Sequence, residues 1–246
     1  MKKTVSKIAA LFAAAMFSTS SWALVTFGDG GTALQGVLDG ITVGGTSSVN
    51  VVTDQSLPDA YWGITGSNIS GATLIVELAG FANENIFGIY DKVTGNHVEL
   101  FGGAAIAGDQ AVLSIKADGS VFVNLVDTGI DFAGNNFAYY LDSSANIGGG
   151  LFYSDTALNT DGLDHMAAYQ GTNTDTVVLP GATPGLWTDN EFVLAWEDLL
   201  ASVTDADYTD FVVMVESVLP VPEPGTLALM GLGLLGMGFA RRRIAK

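Results

Sequence analysis

The chain of 246 residues has a formal charge of −17 at pH 7 and contains no cysteine. The lack of cysteine excludes disulfide bonds, a cysteine nucleophile and thiolate metal sites. Two lysines, 25 acidic residues and no arginine lie between residues 24 and 220, which gives this region a formal charge of −23. Such a region repels nucleic acid and anionic lipid, which are bound through lysine and arginine, and it attracts cations.

The first 23 residues have the three parts of a secretory signal peptide. Three lysines lie within the first seven residues, an uncharged apolar run covers residues 8–17, and Ser21-Trp22-Ala23 supplies small residues at the cleavage positions. About ten apolar residues are too few to span hydrocarbon about 30 Å thick, which argues against a permanent anchor. We therefore expect export through the inner membrane and cleavage after Ala23, with a mature chain that begins at Leu24.

Residues 24–219 are predicted to form one acidic, mainly β domain. Helical periodicity is almost absent, and strand-like runs recur roughly every 10 to 15 residues, separated by turn signals such as Thr94-Gly95-Asn96. This spacing favours an antiparallel β-sandwich, jelly-roll-like, over βαβ units. The stretch before about residue 71 is weakly patterned and is expected to form irregular strands that cover an edge of the domain. The predicted strands are residues 73–78, 86–90, 97–101, 111–115, 120–125, 137–142, 150–153, 165–169, 176–179, 191–196 and 210–218.

Acidic side chains concentrate in the C-terminal half of this domain. The two segments 196–198 and 205–210 flank a loop between apolar strands, which carries their carboxylates to one pole of the sandwich. Each close pair repels by about 1 kcal/mol even in bulk water, and the domain has only two lysines to neutralise them. A bound cation is therefore expected, and carboxylate oxygens suit Ca²⁺. The predicted ligands are Asp161, Asp164, Glu197, Asp198, Asp205, Asp207 and Asp210.

Alternatives to this calcium site stay open at the level of the sequence. Acidic loops on exported proteins are often solvated surface, and aspartate also starts turns by bonding its own backbone. His165 is either a further ligand or a structural residue at the start of a strand. His97 follows a Gly-Asn turn and is predicted to be an exposed hairpin residue.

Several of these stretches resemble DUF4114, a domain family of undefined biochemical role found in secreted proteins. The resemblance covers roughly residues 87–218 and supports a shared acidic site without naming a reaction. The family often has asparagine where this chain has Thr209, which removes one candidate oxygen ligand or cap. The matching stretches are Phe87-Gly88-Ile89-Tyr90, Val98-Glu99-Leu100-Phe101, Asn159-Thr160-Asp161-Gly162-Leu163-Asp164-His165, Trp196-Glu197-Asp198-Leu199 and Asp205-Ala206-Asp207-Tyr208-Thr209-Asp210.

No motif in the domain indicates an enzyme. A Gly-x-Ser-x-Gly elbow is absent, and Glu197 and Asp198 would point to opposite faces if their strand continued. We therefore expect a non-enzymatic protein with a structural or adhesive role. The alternative is a calcium-dependent module that binds exopolysaccharide through flat aromatic rings, unless those rings lie in the core. The candidate rings are Trp62, Trp187, Trp196, Tyr139 and Tyr140.

Residues 220–246 have the organisation of a removable membrane signal. Val221-Pro222-Glu223-Pro224-Gly225 precedes the uncharged stretch 226–240, which would form a helix about 22 Å long and contains four glycines. This is short for a permanent transmembrane span. Three arginines at 241–243 are expected to stay cytoplasmic, which leaves the acidic domain on the outer side.

This tail resembles the PEP-CTERM sorting signal of Gram-negative bacteria that make extracellular polysaccharide. The resemblance implies an exosortase as partner, which removes the helix after a transient stay in the membrane. The protein would then reach the outer surface or the extracellular matrix, where polysaccharide is the expected second partner. A tail anchor that stays in place is the alternative. The motif residues are Pro222, Glu223, Pro224, Arg241, Arg242 and Arg243.

Overall fold

The computed structural model describes residues 24–65, 69–76 and 84–222. The predicted signal peptide, the predicted transmembrane stretch 226–240, Glu223, Pro224 and the three arginines lie outside these residues. Within the described ranges, no helix combines the length and apolar character needed to cross a membrane.

The described residues form one α-helix, a short 3₁₀ helix and fifteen strands. In chain order these are α1 (Thr32–Ile41), β1 (Trp62–Ile64), β2 (Ile69–Val76), β3 (Ile86–Tyr90), β4 (His97–Phe101), β5 (Gln110–Ile115), β6 (Ser120–Val123), β7 (Val126–Asp131), β8 (Asn136–Asp142), β9 (Leu151–Tyr153), the 3₁₀ helix (Thr156–Leu158), β10 (Met166–Gln170), β11 (Thr176–Val177), β12 (Gly185–Leu186), β13 (Glu191–Trp196), β14 (Phe211–Glu216) and β15 (Val218–Pro220).

The strands form two large antiparallel sheets and a small two-stranded one. The six-stranded sheet has the order β15-β1-β8-β3-β4, with β9 also paired to β8. The seven-stranded sheet has the order β10-β13-β14-β2-β5-β6-β7, and β11 pairs with β12. Neither large sheet closes into a barrel. The expectation of a mainly β, antiparallel domain is therefore confirmed.

Aromatic side chains from both large sheets form one shared core. Phe87 of the six-stranded sheet lies 6.0 Å from Trp196 and 5.2 Å from Phe211 of the seven-stranded sheet, measured between ring centroids. Trp62 meets Phe192 edge to face at 4.9 Å. Edge-to-face and tilted pairs at these distances add about 0.5–1.5 kcal/mol each beyond the burial of their area.

A second core covers the outer face of the seven-stranded sheet. Leu34, Leu38 and Ile41 of α1 are buried there, together with Tyr169 from β10 and Met214 from β14. The expectation that residues before 71 form irregular strands along an edge is therefore wrong. These residues contain a helix and cover a sheet face, since the apolar side chains recur at helical spacing despite two intervening glycines.

The start of α1 depends on one aspartate. The carboxylate of Asp29 accepts hydrogen bonds from the backbone N–H groups of Gly31 at 2.7 Å and Ala33 at 2.6 Å. We expect Asp29→Ala to lower the free energy of unfolding by about 1 kcal/mol, because two helix-terminal donors lose their acceptor. Urea denaturation measures this change. Asp29→Asn keeps an acceptor oxygen and should lose less stability; equal losses would contradict the capping role.

Loops from several strands meet at one pole of the domain. The segment after β13 is tied to the β8–β9 loop, because Leu200 N–H donates to the carbonyl of Gly148 at 2.9 Å. The segment before β10 is tied to it as well, through Glu197 N–H and the carbonyl of His165 at 3.0 Å. These backbone bonds hold in place the loops that carry the acidic residues.

Candidate metal site

Five of the seven predicted ligands meet at this pole. Carboxylate oxygens of Glu197, Asp198 and Asp210 lie within 4.8 Å of one another, and so do those of Glu197, Asp205 and Asp207. We call these five residues the acidic pole. Glu197 belongs to both groups and therefore lies at the centre of the acidic pole.

The end of β13 explains why neighbouring carboxylates face the same place. The strand stops at Trp196, so the alternation that would have sent Glu197 and Asp198 to opposite faces does not apply. The backbone N–H of Asp198 instead donates to the Asp210 carboxylate at 3.0 Å. This bond ties the end of β13 to the start of β14.

The loop that carries Asp205 and Asp207 has an unusual backbone. Ala206 and Tyr208 both have positive φ, 55° and 58°, although neither is glycine. Left-handed backbone at such residues costs of order 1 kcal/mol each and persists only where surrounding contacts hold it. Thr209 supplies one such contact, since its N–H and its hydroxyl both donate to the Asp207 carboxylate, at 2.8 and 2.7 Å.

Glu197 is buried in a way that leaves its charge unmatched. The residue is only 2 % exposed, and neither carboxylate oxygen makes a hydrogen bond of normal geometry with any described residue, although Thr204 and Asp210 lie close enough to lower its pKa. A buried carboxylate without partners costs several kcal/mol unless it is protonated, paired or bound to a metal. The centre of the acidic pole is therefore short of positive charge.

The carboxyl pKa values respond to this crowding. Burial first, and repulsion from Glu197 and Asp198 second, raise the pKa of Asp210 to about 9. The pKa values of Glu197 and Asp198 are also raised, by burial first and by the nearby charge of Asp205. Without a cation, Asp210 therefore retains its proton near neutral pH, and a bound cation would displace that proton.

Two asparagines that were not among the predicted ligands line the same pole. The Asn85 side-chain amide donates to the Asp198 carboxylate at 2.9 Å, and Asn146 donates to the Asn85 oxygen at 3.3 Å. Both are buried, and Asn146 Oδ1 has no hydrogen-bond partner among the described residues. Asn85 precedes β3 and Asn146 follows β8, so the two residues are far apart in the sequence. Only the folded structure brings their neutral oxygens to the acidic pole.

Asp161 lies beside the acidic pole and has its own partner. The Nδ1–H of buried His165 donates to the carbonyl of Glu197 at 3.0 Å, and its Nε2 faces the Asp161 carboxylate at 3.1 Å. The ring stacks on Phe152 with centroids 3.7 Å apart. Asp161 also accepts from Ala201 N–H at 3.1 Å. These contacts give His165 a structural role and place Asp161 outside both carboxylate groups.

Asp164 is also outside the two groups, and it borders a cavity. Burial raises its pKa to about 7, and its charge contributes to the raised pKa of buried Asp59, for which burial is the main cause. Asp164 and Glu197 both line a half-open cavity of about 310 Å³, with Thr204, Tyr208 and residues 24–26 among the other wall residues. Glu197, the central residue of the acidic pole, therefore borders a cavity whose volume is at the lower end of the range for ligand sites.

Both lysines of the domain are engaged away from the acidic pole. Lys92 forms an ion pair with Asp155 at 2.8 Å, and Lys116 lies over the ring of Phe122 at 3.7 Å. No lysine or arginine in the described ranges pairs with a carboxylate of the acidic pole.

Four of the five aromatic residues considered as sugar platforms are buried in the cores and are not available for that purpose. Trp62, Trp187 and Trp196 are fully buried, and Tyr139 is 1 % exposed. Tyr140 is 6 % exposed and belongs to neither core cluster. The three tryptophans and Tyr139 therefore belong to the two cores, which was the alternative stated for these rings in the sequence analysis.

Comparison with known families finds two matches in the chain. Residues 220–243 match the PEP-CTERM protein-sorting motif, and residues 128–218 match the domain of unknown function DUF4114. The second match begins later than the resemblance seen in the sequence and contains the whole acidic pole. No curated protein and no solved structure matches the chain significantly.

Proposed function

Because the chain carries a PEP-CTERM sorting motif and a DUF4114 domain, we propose that it is a non-enzymatic cell-surface or matrix protein stabilised by calcium. The motif supports export, processing by an exosortase and sorting to the surface of a Gram-negative cell. In our proposal the signal peptide and the C-terminal helix are removed. The acidic domain that remains has a structural or adhesive role outside the cell.

The attachment of the tail supports this processing. Strand β15 pairs with β1, and Val221 N–H still donates to the carbonyl of Tyr61 at 2.8 Å. Pro222 directly follows and is exposed. The sorting motif therefore begins where the folded domain ends, and its first proline is accessible to an enzyme at the membrane surface.

The unmatched carboxylate of Glu197 is the observation that carries the calcium proposal. Ca²⁺ binds oxygens at about 2.3–2.6 Å, so two ligands on opposite sides of the ion are at most about 5 Å apart. Both carboxylate groups fall within this limit, at 4.8 Å. One or two ions that share Glu197 would neutralise a charge that no described residue neutralises.

Calcium would stabilise the domain by joining its strands. The acidic pole connects the end of β13, the start of β14 and the loop between them, so a bound ion acts as a cross-link at the edge of both cores. We take the sandwich to be jelly-roll-like, since β1 pairs with β15 and β2 pairs with β14, the nested order of a folded-over hairpin.

A calcium titration of the purified protein tests the proposal. After chelation, addition of millimolar Ca²⁺ should raise the melting temperature by roughly 5–10 °C, because saturation at 100 times Kd contributes about 2.7 kcal/mol and each kcal/mol shifts a domain of this size by about 2–4 °C. Mg²⁺ should do less, since it demands regular octahedral geometry. An unchanged melting temperature would rule out the calcium site.

A further inference from the structure

The outer face of the six-stranded sheet carries an aromatic cluster that lies apart from the acidic pole. Tyr90, His97, Tyr140 and Tyr153 alternate along their strands with side chains of the shared core, so they project from the opposite face. Ring centroids are 4.7 Å apart for Tyr90 and His97, 5.0 Å for Tyr90 and Tyr153, and 5.1 Å for His97 and Tyr140. We call these four residues the tyrosine face.

The strand register arranges the rings in two adjacent rows. Tyr140 is opposite Gly88 on β3 and Tyr153 on β9, and Tyr90 is opposite His97 on β4. Gly88 is required for this arrangement, because a Cβ there would meet a ring carbon of Tyr140 at 2.6 Å. The Tyr140 ring therefore leans over the neighbouring strand, and the partly exposed rings of Tyr90, His97 and Tyr153 surround it.

Hydrogen bonds hold two of the four rings, His97 and Tyr153, in place. Nδ1–H of His97 donates to the carbonyl of Gly95 at 3.1 Å, which leaves Nε2 to accept the Tyr153 hydroxyl at 3.1 Å. Burial lowers the pKa of His97, which keeps the imidazole neutral at pH 7. A surface whose rings are already ordered loses little side-chain entropy when a ligand binds.

The charges near the tyrosine face select against acidic ligands. Burial raises the pKa of Tyr140, and the carboxylates of Glu99 and Asp142 are close enough to raise it further. Lys92, the nearest lysine in sequence, is paired with Asp155. A ligand here meets aromatic rings and hydrogen-bond acceptors but no free cation among the described residues.

We propose that the tyrosine face binds a neutral polysaccharide. The C–H faces of sugar rings pack against aromatic rings, and sugar hydroxyls donate to the Glu99 and Asp142 carboxylates. Helix α1 covers the outer face of the seven-stranded sheet, whereas the outer face of the six-stranded sheet carries the tyrosine face. The site does not include the acidic pole and does not rest on calcium binding.

Affinity electrophoresis of the full chain in mild detergent tests this proposal. Gels that contain a neutral glucan or mannan should retard the protein equally in Ca²⁺ and in chelator. Tyr90→Ala and Tyr153→Ala should each weaken the apparent affinity by about tenfold, since each removes a stacking ring. Tyr153→Phe keeps the ring and should retain most of the binding.

The matched control is Phe122→Ala, which removes a half-buried ring from β6 of the other sheet and should leave retardation unchanged. The melting temperature of each variant shows whether it remains folded. The proposal is overturned if no neutral polysaccharide retards the protein, if alginate retards it as strongly, or if the tyrosine variants bind as the wild type does. The proposal is also overturned if sedimentation shows that the wild type is a dimer and that the tyrosine variants are monomers. The tyrosine face would then be a subunit interface.

Discussion

Replacement of Glu197 by glutamine is expected to stabilise the calcium-free protein and to abolish most of its stabilisation by calcium. The neutral amide removes the repulsion from Asp205 and Asp198 that helps to raise the Glu197 pKa, so the melting temperature in chelator should rise by a few degrees. The same change removes the ligand that both carboxylate groups share. The calcium-dependent rise of roughly 5–10 °C should then fall to a small fraction. Differential scanning calorimetry in Ca²⁺ and in chelator measures both effects.

The variant is expected to be more stable than the wild type in chelator but to gain less stability from Ca²⁺. These two opposite effects distinguish a metal site from a structural glutamate. Glu216→Gln is the matched control, because it makes the same change at an exposed residue at the end of β14. We expect the control to respond to calcium as the wild type does. A Glu197→Gln protein that melts lower than the wild type in chelator, or that keeps the full calcium response, would contradict the assignment.

The sequence predicted much of the β architecture because alternation and turn residues are local signals. The predicted bounds of β3, β4 and β13 agree with the structure to the residue, since each is a short apolar run between polar turns. Helix α1 was missed because Gly36 and Gly40 interrupt it, although Leu34 and Leu38 keep helical spacing. The position of α1 over a sheet face depends on contacts with residues more than 100 positions later in the sequence. A local sequence pattern contains no information about such contacts.

The acidic pole was partly predictable for a similar reason. Glu197, Asp198 and Asp210 lie at the two ends of one loop, so sequence proximity placed them together. Asn85 comes from a distant strand start and reaches Asp198 only in the folded chain. Asp161 resembled a further ligand, but the structure pairs it with His165. The surroundings of the aromatic residues were not predictable for the same reason. The residue type alone does not show which face of a strand its ring occupies.

In chelator, the stability of the protein is expected to fall as the pH rises from about 5 to about 9. The folded pKa is about 7 for Asp164 and about 9 for Asp210, above the value near 4 of an unfolded aspartate. A carboxyl whose pKa is raised by folding contributes its full stability below the unfolded pKa and loses it as the pH passes the folded pKa. Each unit of pKa difference corresponds to about 1.4 kcal/mol and the two losses add, so the total loss should amount to several kcal/mol, up to about 8 kcal/mol. Urea denaturation at several pH values measures it.

Calcium should reverse this trend, because it binds the deprotonated carboxylates and its affinity rises as protons leave. The stabilisation that calcium provides is therefore expected to be larger at pH 9 than at pH 5. Asp210→Asn should flatten the decline in chelator, since the variant has no proton to lose at that position. Asp189→Asn, at an exposed aspartate before β13, should leave the decline as it is in the wild type. A calcium-free stability that stays constant or increases toward pH 9 would show that the carboxyls of the acidic pole are already neutralised in the folded protein.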